Sequence, residues 1–483
     1  MQNLYSRRST YTMQQKKSIL PVITLAIFNF CFLCTEYMFD DMMALVADST
    51  EVVNAQNLVL GASVAGFVLY AFLHKYLSKK TERTLACAAM LISIGCVFVI
   101  MEHCSRLAIY AGGIVCFVIL GVAGSAVCYF ASRAVENYAS LGKLVGIAYA
   151  LGIFIQYCNN NWVRGERLEA IVISCFMLAF VGCIFKLADN CGNMTQNLNQ
   201  DIIKIKIKSP AIPLTAMCLC VFLMTLIFST LDNAVTLVHS AGEFNIGQWP
   251  RLLLAVSSIV AGCVYDLKNR RFMPLIMYVI TMLSVISIVV IMLGGSFVFG
   301  LMVFYISAGF FVVFFMVSFM DISYYTKMPR LWAGMGRAVN NLCAIVSTAF
   351  TVSLLNSGSI MAILIVAIVL LACITCAIMV YYLPFVTAIR DSERESVKEE
   401  VLKEYETKAK SNSFELFVEE HSFTEREAEI MNELLTNNDS VSSISRKLAL
   451  SRASLYRHID KMNEKTNTSS RTELIHYYHN WAK

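Results

Sequence analysis

Apolar runs of membrane-spanning length recur along this chain as far as residue 383. They lie near 18–38, 54–76, 84–101, 108–130, 143–160, 168–188, 211–231, 250–266, 272–293, 297–320, 336–355 and 359–383. Each approaches the ~20 residues a helix needs to cross the hydrocarbon layer. In lipid every backbone amide and carbonyl must find its partner within the chain, which leaves helices as the form for such runs. A soluble globule is excluded: 57% of the residues are hydrophobic and only 15% charged, far from the soluble average. The expected fold is all-α, a polytopic helix bundle whose first partner is the lipid bilayer.

Charge in the connections gives direction. Arg7, Arg8, Lys16 and Lys17 lie in a tail, 1–17, before the first run; Lys75, Lys79, Lys80 and Arg83 follow the second. Lys204, Lys206 and Lys208 sit in a central loop, 189–210, and Lys268, Arg270 and Arg271 follow the eighth run. The alternate connections hold Arg106, Arg164, Arg167 and Arg251 against Asp48, Glu51, Glu102, Glu166 and Glu243. The positive-inside rule then places both termini in the cytoplasm and the protein in the inner, cytoplasmic membrane. The apolar run after the tail is too long, and too unlike a cleavage region, to be a removable signal. The 17 Cys lie mostly within apolar runs, where Cys behaves as a small hydrophobe. No disulfide framework or metal-binding Cys pattern stands out.

The twelve runs repeat after the sixth. Asp40-Asp41-x-x-x-Leu45-Val46 is echoed by Asp232-Asn233-x-x-x-Leu237-Val238, and Gly142-Lys143 by Gly336-Arg337. Gly262, Asp266, Arg270 and Arg271 resemble the loop motif G-x-x-x-D-x-x-G-R-R of the major facilitator superfamily. The first-half copy, LHKYLSKK, keeps the cations but has His74 where the acid belongs. The resemblance covers 18–383 and implies two six-helix halves, 18–188 and 211–383, around the loop 189–210.

Ionisable groups at membrane depth are costly and face a cavity or a partner. Glu36, Asp40 and Asp232 fall in or near apolar runs, and Arg337 opens the eleventh. Two readings stand: a small-molecule or cation site between the halves, or Asp40 and Asp232 merely capping helix ends at the outer interface. No nucleophile elbow, P-loop, His-Glu-x-x-His or paired-carboxylate pattern appears, so no catalytic site, metal or cofactor is expected.

Past Pro384 the chain changes character. A charged segment, 384–420, carries the i, i+4 pairs Glu399–Lys403, Glu404–Lys408 and Glu406–Lys410, which favour a solvated connector helix. Residues 421–483 read as four short helices. Thr424-Glu425-Arg426-Glu427 and Ser470-Arg471-Thr472-Glu473 are capping boxes. Ile444 and Leu448 stripe one helix and Leu455, Ile459 and Met462 the next, with Ser451 as the cap between them. Asn438 and Asn467 fall in turns. This is a helix-turn-helix whose second helix is cationic.

Residues 423–475 resemble the LuxR-type DNA-binding domain. FTEREAEIM stands where that family has L-T-x-R-E-x-E-V-L, LSRASLYRH where it has I-S-x-x-T-V-x-x-H, and SRTELI where it has S-R-T-E-L-V. Asn438 replaces the usual turn Gly, Tyr456 the usual phosphate-binding Lys, and Val441-Ser442-Ser443 the usual N-K-E. The resemblance implies promoter DNA as a partner, met by Arg452, Ser454, Tyr456, Arg457, His458, Lys461 and Lys465. It also implies a homodimer on DNA through the last helix, where Leu474, Ile475 and Tyr478 are expected to leave apolar surface exposed. The two parts together point to a membrane-bound transcriptional regulator that senses an unknown small molecule. The alternative is a transporter of the major facilitator type carrying a regulatory DNA-binding domain.

Overall fold

The computed structural model describes residues 2–135, 140–198, 211–268, 270–292, 295–357, 359–379, 413–436 and 441–481. The chain divides into two compact units, Met1–Ile389 and Arg390–Lys483. Lys204, Lys206 and Lys208 of the central loop, the connector pairs between 399 and 410, and Asn438 lie outside the described residues.

The first unit is helical throughout its described length: α1 Gln2–Ala44, α2 Ser49–Tyr76, α3 Lys79–Met101, α4 Arg106–Arg133, α5 Leu141–Trp162, α6 Glu166–Leu198, α7 Ala211–Ser240, α8 Arg251–Tyr265, α9 Met273–Met292, α10 Phe297–Ile322, the single turn α11 Pro329–Trp332, α12 Met335–Asn356 and α13 Ile360–Ala377. Among the described residues nine of these are long and apolar enough to cross a membrane, and α8, α9 and α13 are shorter apolar helices. Together they occupy the twelve expected positions.

Local chemistry fixes several starts. Asp48 accepts the Glu51 amide at 2.9 Å, Ser105 the Ala108 amide at 3.2 Å and Ser359 the Ala362 amide at 3.3 Å. Each side chain satisfies a helix-end donor that has no partner along the helix.

The halves meet where α2 packs on α7 and α12, and where α5 packs on α8 and α10. The α5–α8 contact is made by glycine. A Cβ on Gly146 would lie 2.4 Å from the Ser258 carbonyl oxygen, and one on Gly262 would lie 2.5 Å from that of Gly142. Gly142-x-x-x-Gly146 thus lets two backbones touch, the arrangement that holds helices together where lipid removes the hydrophobic drive. The expected motif acid closes the same junction: Asp266 accepts the Gly142 and Lys143 amides, both at 2.8 Å. Arg270, 1% exposed, bridges Asp266 at 3.5 Å and Asp321 at 3.2 Å.

Asp40 and Asp232 are not helix-end caps. Asp40 is followed by four more residues of α1, which ends at Ala44, and α7 continues to Ser240. The capping alternative therefore gives way to the cavity.

The second unit holds α14 (413–420), α15 Glu425–Thr436, α16 Val441–Lys447, α17 Arg452–Thr466 and α18 Arg471–Trp481. The four expected helices are present, and α14, expected as connector, joins their core. Phe417 is fully buried, with ring centroids 5.0 Å from Tyr478, 5.2 Å from Trp481 and 5.6 Å from Phe423. Ile430, Met431, Ile444, Leu455, Ile459 and Met462 complete this core, as the helical stripes require.

Candidate functional site

Glu36, Asp40, Asp232 and Arg337 all line one cavity of about 160 Å³ within the membrane unit. Its wall comes from both halves: α1 and α2 with Tyr149 of α5 on one side, and α7, α8, α10 and α12 on the other. The repeat in sequence becomes a meeting in space.

Part of the wall is wired. Gln56 donates to Glu36 at 3.0 Å. Asn57 of α2 donates to Asn233 of α7 at 2.9 Å, and Asn233 donates in turn to Thr351 of α12 at 2.6 Å. Arg251 donates to Gln156 at 3.2 Å, and Gln156 to the Leu33 carbonyl at 2.8 Å. Such chains hold side chains in single orientations where an unpaired polar group is expensive.

Other polar atoms are left without hydrogen-bond partners. Arg337, 8% exposed, has no hydrogen-bond acceptor at Nε or Nη2; its guanidinium lies 5.0 Å over the Phe32 ring and 5.8 Å over that of Phe315. Asp40 Oδ1 is likewise buried without a donor. Two aromatic rings flank the Arg337 group, Tyr149 is hydrogen-bonded to it, and Nε and Nη2 stay unpartnered. A small molecule with both an acceptor and a cationic or hydroxyl donor would satisfy what the wall does not.

Sequence reading missed several members. Arg251, read as an outer-loop cation, is the first residue of α8 and lines the cavity. Its place at the head of an apolar run behind Pro250 was the available signal. Gln56, Asn57, Tyr149 and Tyr305 also line it; uncharged polar residues scattered through apolar runs give no comparable signal. Two C-x-x-C pairs, 31–34 and 373–376, were passed over as well. Cys31 and Cys34 are buried, with the Cys34 thiol donating to Glu169 at 3.6 Å and accepting from Asn159 at 3.1 Å, and no metal-holding group of His, Cys, Asp or Glu occurs among the described residues.

In the second unit the helix-turn-helix is built as its caps and stripes require. Thr424 and Glu427 bond reciprocally, at 2.8 and 3.3 Å. Ser451 accepts the Ser454 amide at 3.1 Å. In the last capping box Ser470 accepts the Glu473 amide at 3.2 Å, but Glu473 reaches back to the Ser469 amide, at 2.7 Å. The turn between α16 and α17 passes through Ala449 at φ +51°, and α17 ends on Asn467 at φ +55°, both left-handed.

Arg452, Tyr456, Arg457 and Lys461 are all exposed on α17, as a groove-entering face demands. Ser454 and His458 are half-buried beside them, and His458 Nδ1 has no hydrogen-bond partner. Lys465 departs from expectation: its ammonium donates to Glu427 at 2.6 Å and to the Ser422 carbonyl at 2.8 Å. It fastens α17 to the start of α15 instead of standing free. Burial opposes the charged form of Glu427, but the Lys465 ammonium and the Thr424 amide outweigh it and hold the carboxyl below its ordinary range.

The expectation of exposed apolar surface on α18 is also corrected. Leu474 is fully buried and Tyr478 is 8% exposed, with Phe414 and Phe417 of α14 set against the Tyr478 ring. Ile475 is half-buried, and Tyr477, 37% exposed, is the larger outward group.

With both geometries in place, comparison with known proteins defines the class of each unit. Residues 421–478 match the profile of bacterial regulatory proteins of the luxR family. Over the N-terminal region the chain has the fold of major facilitator transporters. The crystal structure of the human organic anion transporter MFSD10 (TETRAN) aligns with TM-score 0.53 at 12% identity, over 75% of this chain and 99% of that one. An auto-inhibited POT family peptide transporter aligns at 0.51 and 10% identity, over 75% and 96% of the two chains. The proton:xylose symporter XylE, bound to 6-bromo-6-deoxy-D-glucose, aligns at 0.50 and 11% identity, over 76% and 95%. No curated protein matches the chain. The chain is a multi-pass membrane protein that carries a LuxR-type helix-turn-helix.

Proposed function

We propose that this protein is a membrane-bound, one-component transcriptional regulator. Its transporter-like unit binds a small molecule in the charged cavity, and its helix-turn-helix binds promoter DNA from the cytoplasmic face of the inner membrane. The observation that carries the reading is the union in one chain of a luxR-family domain at 421–478 and a cavity edged by Asp40 and Arg337, in which Asp40 Oδ1 and Arg337 Nε and Nη2 lack hydrogen-bond partners. In this reading Arg457 and Lys461 meet phosphates, Arg452 and Tyr456 meet base edges, and Ser454 and His458 support the helix at the backbone. Two copies on adjacent half-sites give the specificity that one small reader lacks; the outward face of α18, with Ile475 and Tyr477, is the surface for that pairing.

The cavity's charge favours the second reading, a working transporter with an attached regulatory domain, enough to test it. Chromatin immunoprecipitation of the intact protein, with and without candidate metabolites, should give discrete promoter peaks whose occupancy follows one metabolite. Substrate flux in proteoliposomes together with an absence of promoter peaks would replace the regulator with the transporter.

A further inference from the structure

A second cavity shares no residue with the first. It lies among α2, α3, α4 and α6 and measures about 430 Å³, within the ~300–1,000 Å³ of ligand pockets. Its walls are apolar, with Leu73, Met90, Val118, Phe180 and Ile184 among them, and its rim is cationic, with Lys79, Arg83, Arg133 and Arg330 against Glu82 and Asp189. Lys79, Arg83 and Arg133 come from the first half, and Arg330 comes from α11 of the second.

We propose that this pocket binds an anionic phospholipid drawn from the surrounding bilayer, one acyl chain lying in the apolar channel and the phosphate held by Arg330 and Tyr70. Three observations converge. Tyr70, 4% exposed, lines the pocket and its hydroxyl has no hydrogen-bond partner. Arg330 lines it too, with its guanidinium 4.8 Å over the Tyr129 ring and Nη1 buried without an acceptor. Arg133 stacks 4.3 Å over Tyr324, so a second guanidinium is held by its face. A stacked guanidinium keeps its in-plane donors for a planar or phosphate anion. Arg83, by contrast, is paired with Asp189 and closes the rim.

The occupant follows from the combination. An inorganic anion would use the donors but leave an apolar channel unfilled. A lipid without a phosphate, such as a diacylglycerol, would fill the channel but leave a buried hydroxyl and a guanidinium nitrogen unsatisfied, each at the full cost of its desolvation. The route is open as well. The central windows of α3 and α6 are 28% and 33% buried, the lowest of the nine spanning helices among the described residues, and Leu85 on the pocket wall is 45% exposed. Basic pockets between spanning helices on the cytoplasmic side suit phosphate head groups.

The test uses the full-length protein purified in detergent, with native mass spectrometry for bound lipid and thermal unfolding for its effect. The probes are dioleoyl phosphatidylglycerol, dioleoylglycerol, oleate and inorganic phosphate. Phosphatidylglycerol should be retained as a discrete adduct and should raise the unfolding temperature; the other three should not. Arg330→Ala should weaken phosphatidylglycerol binding about tenfold, and Tyr70→Phe about fivefold. Equal retention of dioleoylglycerol would overturn the proposal, as would full replacement of the effect by phosphate or oleate. Should Arg330→Ala misfold, Tyr70→Phe decides alone: it removes one hydroxyl, and unchanged phosphatidylglycerol affinity in that variant refutes the site.

Discussion

The sharpest prediction concerns Phe417→Ala. The side chain is fully buried and ringed by His421 at 4.5 Å, Tyr478 at 5.0 Å, Trp481 at 5.2 Å, Phe423 at 5.6 Å and Tyr477 at 6.1 Å. Truncating a buried Phe costs about 3–5 kcal/mol, and five neighbouring rings cannot all collapse into the space. A unit spanning 413–481 at ~0.05–0.15 kcal/mol per residue holds roughly 3–10 kcal/mol in total. The substitution therefore removes a third of the stability or all of it. Urea unfolding of a 411–483 fragment can be followed by fluorescence, since Trp481 is its sole tryptophan and sits against the mutated ring. With a slope of ~1–1.5 kcal/mol per M for so small a unit, the midpoint should fall by about 2–5 M, or the variant should be unfolded in buffer. A fragment beginning at 421 should behave like the substitution. A change below ~0.5 kcal/mol, the range of surface substitutions, would refute α14 as part of the core.

Other consequences are open to measurement. Glu427 titrates below its unfolded value, so its contribution is complete above the ordinary glutamate range near pH ~4.3 and is lost as pH falls through the lower folded value. Glu427→Gln should cost about 2 kcal/mol at neutral pH and flatten that acid limb; an unchanged limb in urea titrations would remove the Lys465 pair from the account. Arg457→Ala or Lys461→Ala should weaken binding to all DNA sequences and lower the salt slope by about one each. Arg452→Ala or Tyr456→Ala should instead change which bases are preferred, and Lys465→Ala should lower stability with the salt slope intact. Competition assays across a randomised site at several salt concentrations separate these outcomes. Glu36→Gln should abolish the transcriptional response to the cognate metabolite while the 411–483 fragment still binds DNA; a normal response would take Glu36 out of the site.

Legibility in the sequence tracked the range of the interactions. The spanning helices were readable because lipid forces each run to satisfy itself. The caps at Thr424, Ser451 and Ser470 were readable because both partners lie within three residues. Phe417 was not: its partners Tyr478 and Trp481 are about sixty residues away, and a short FELF cluster after a charged stretch reads as connector. Lys465 hid its partner for the same reason. On its own helix it continues the basic face, and only Glu427, 38 residues earlier, shows where the charge is spent. The cavity was half legible. Glu36, Asp40, Asp232 and Arg337 stood out as charges amid apolar residues, whereas Arg251 was hidden at a run's edge. Gln56 and Asn57 resemble any polar residue on a helix until α7 and α12 are brought against them.

The glycine contact between α5 and α8 restricts how the two halves can move. At Gly142, Gly146 and Gly262 the helices meet backbone to backbone, with no side chains to interdigitate. Sliding along the axis by one turn, about 5.4 Å, would put the buried Tyr149 or Ala150 where Gly146 stands. Rocking about the contact drives nothing into it. The seam therefore acts as a pivot with a fixed axial stop, permitting tilt and forbidding translation. Whatever the central cavity binds, its occupancy can be expressed as an angle between halves and not as a shift of one along the other.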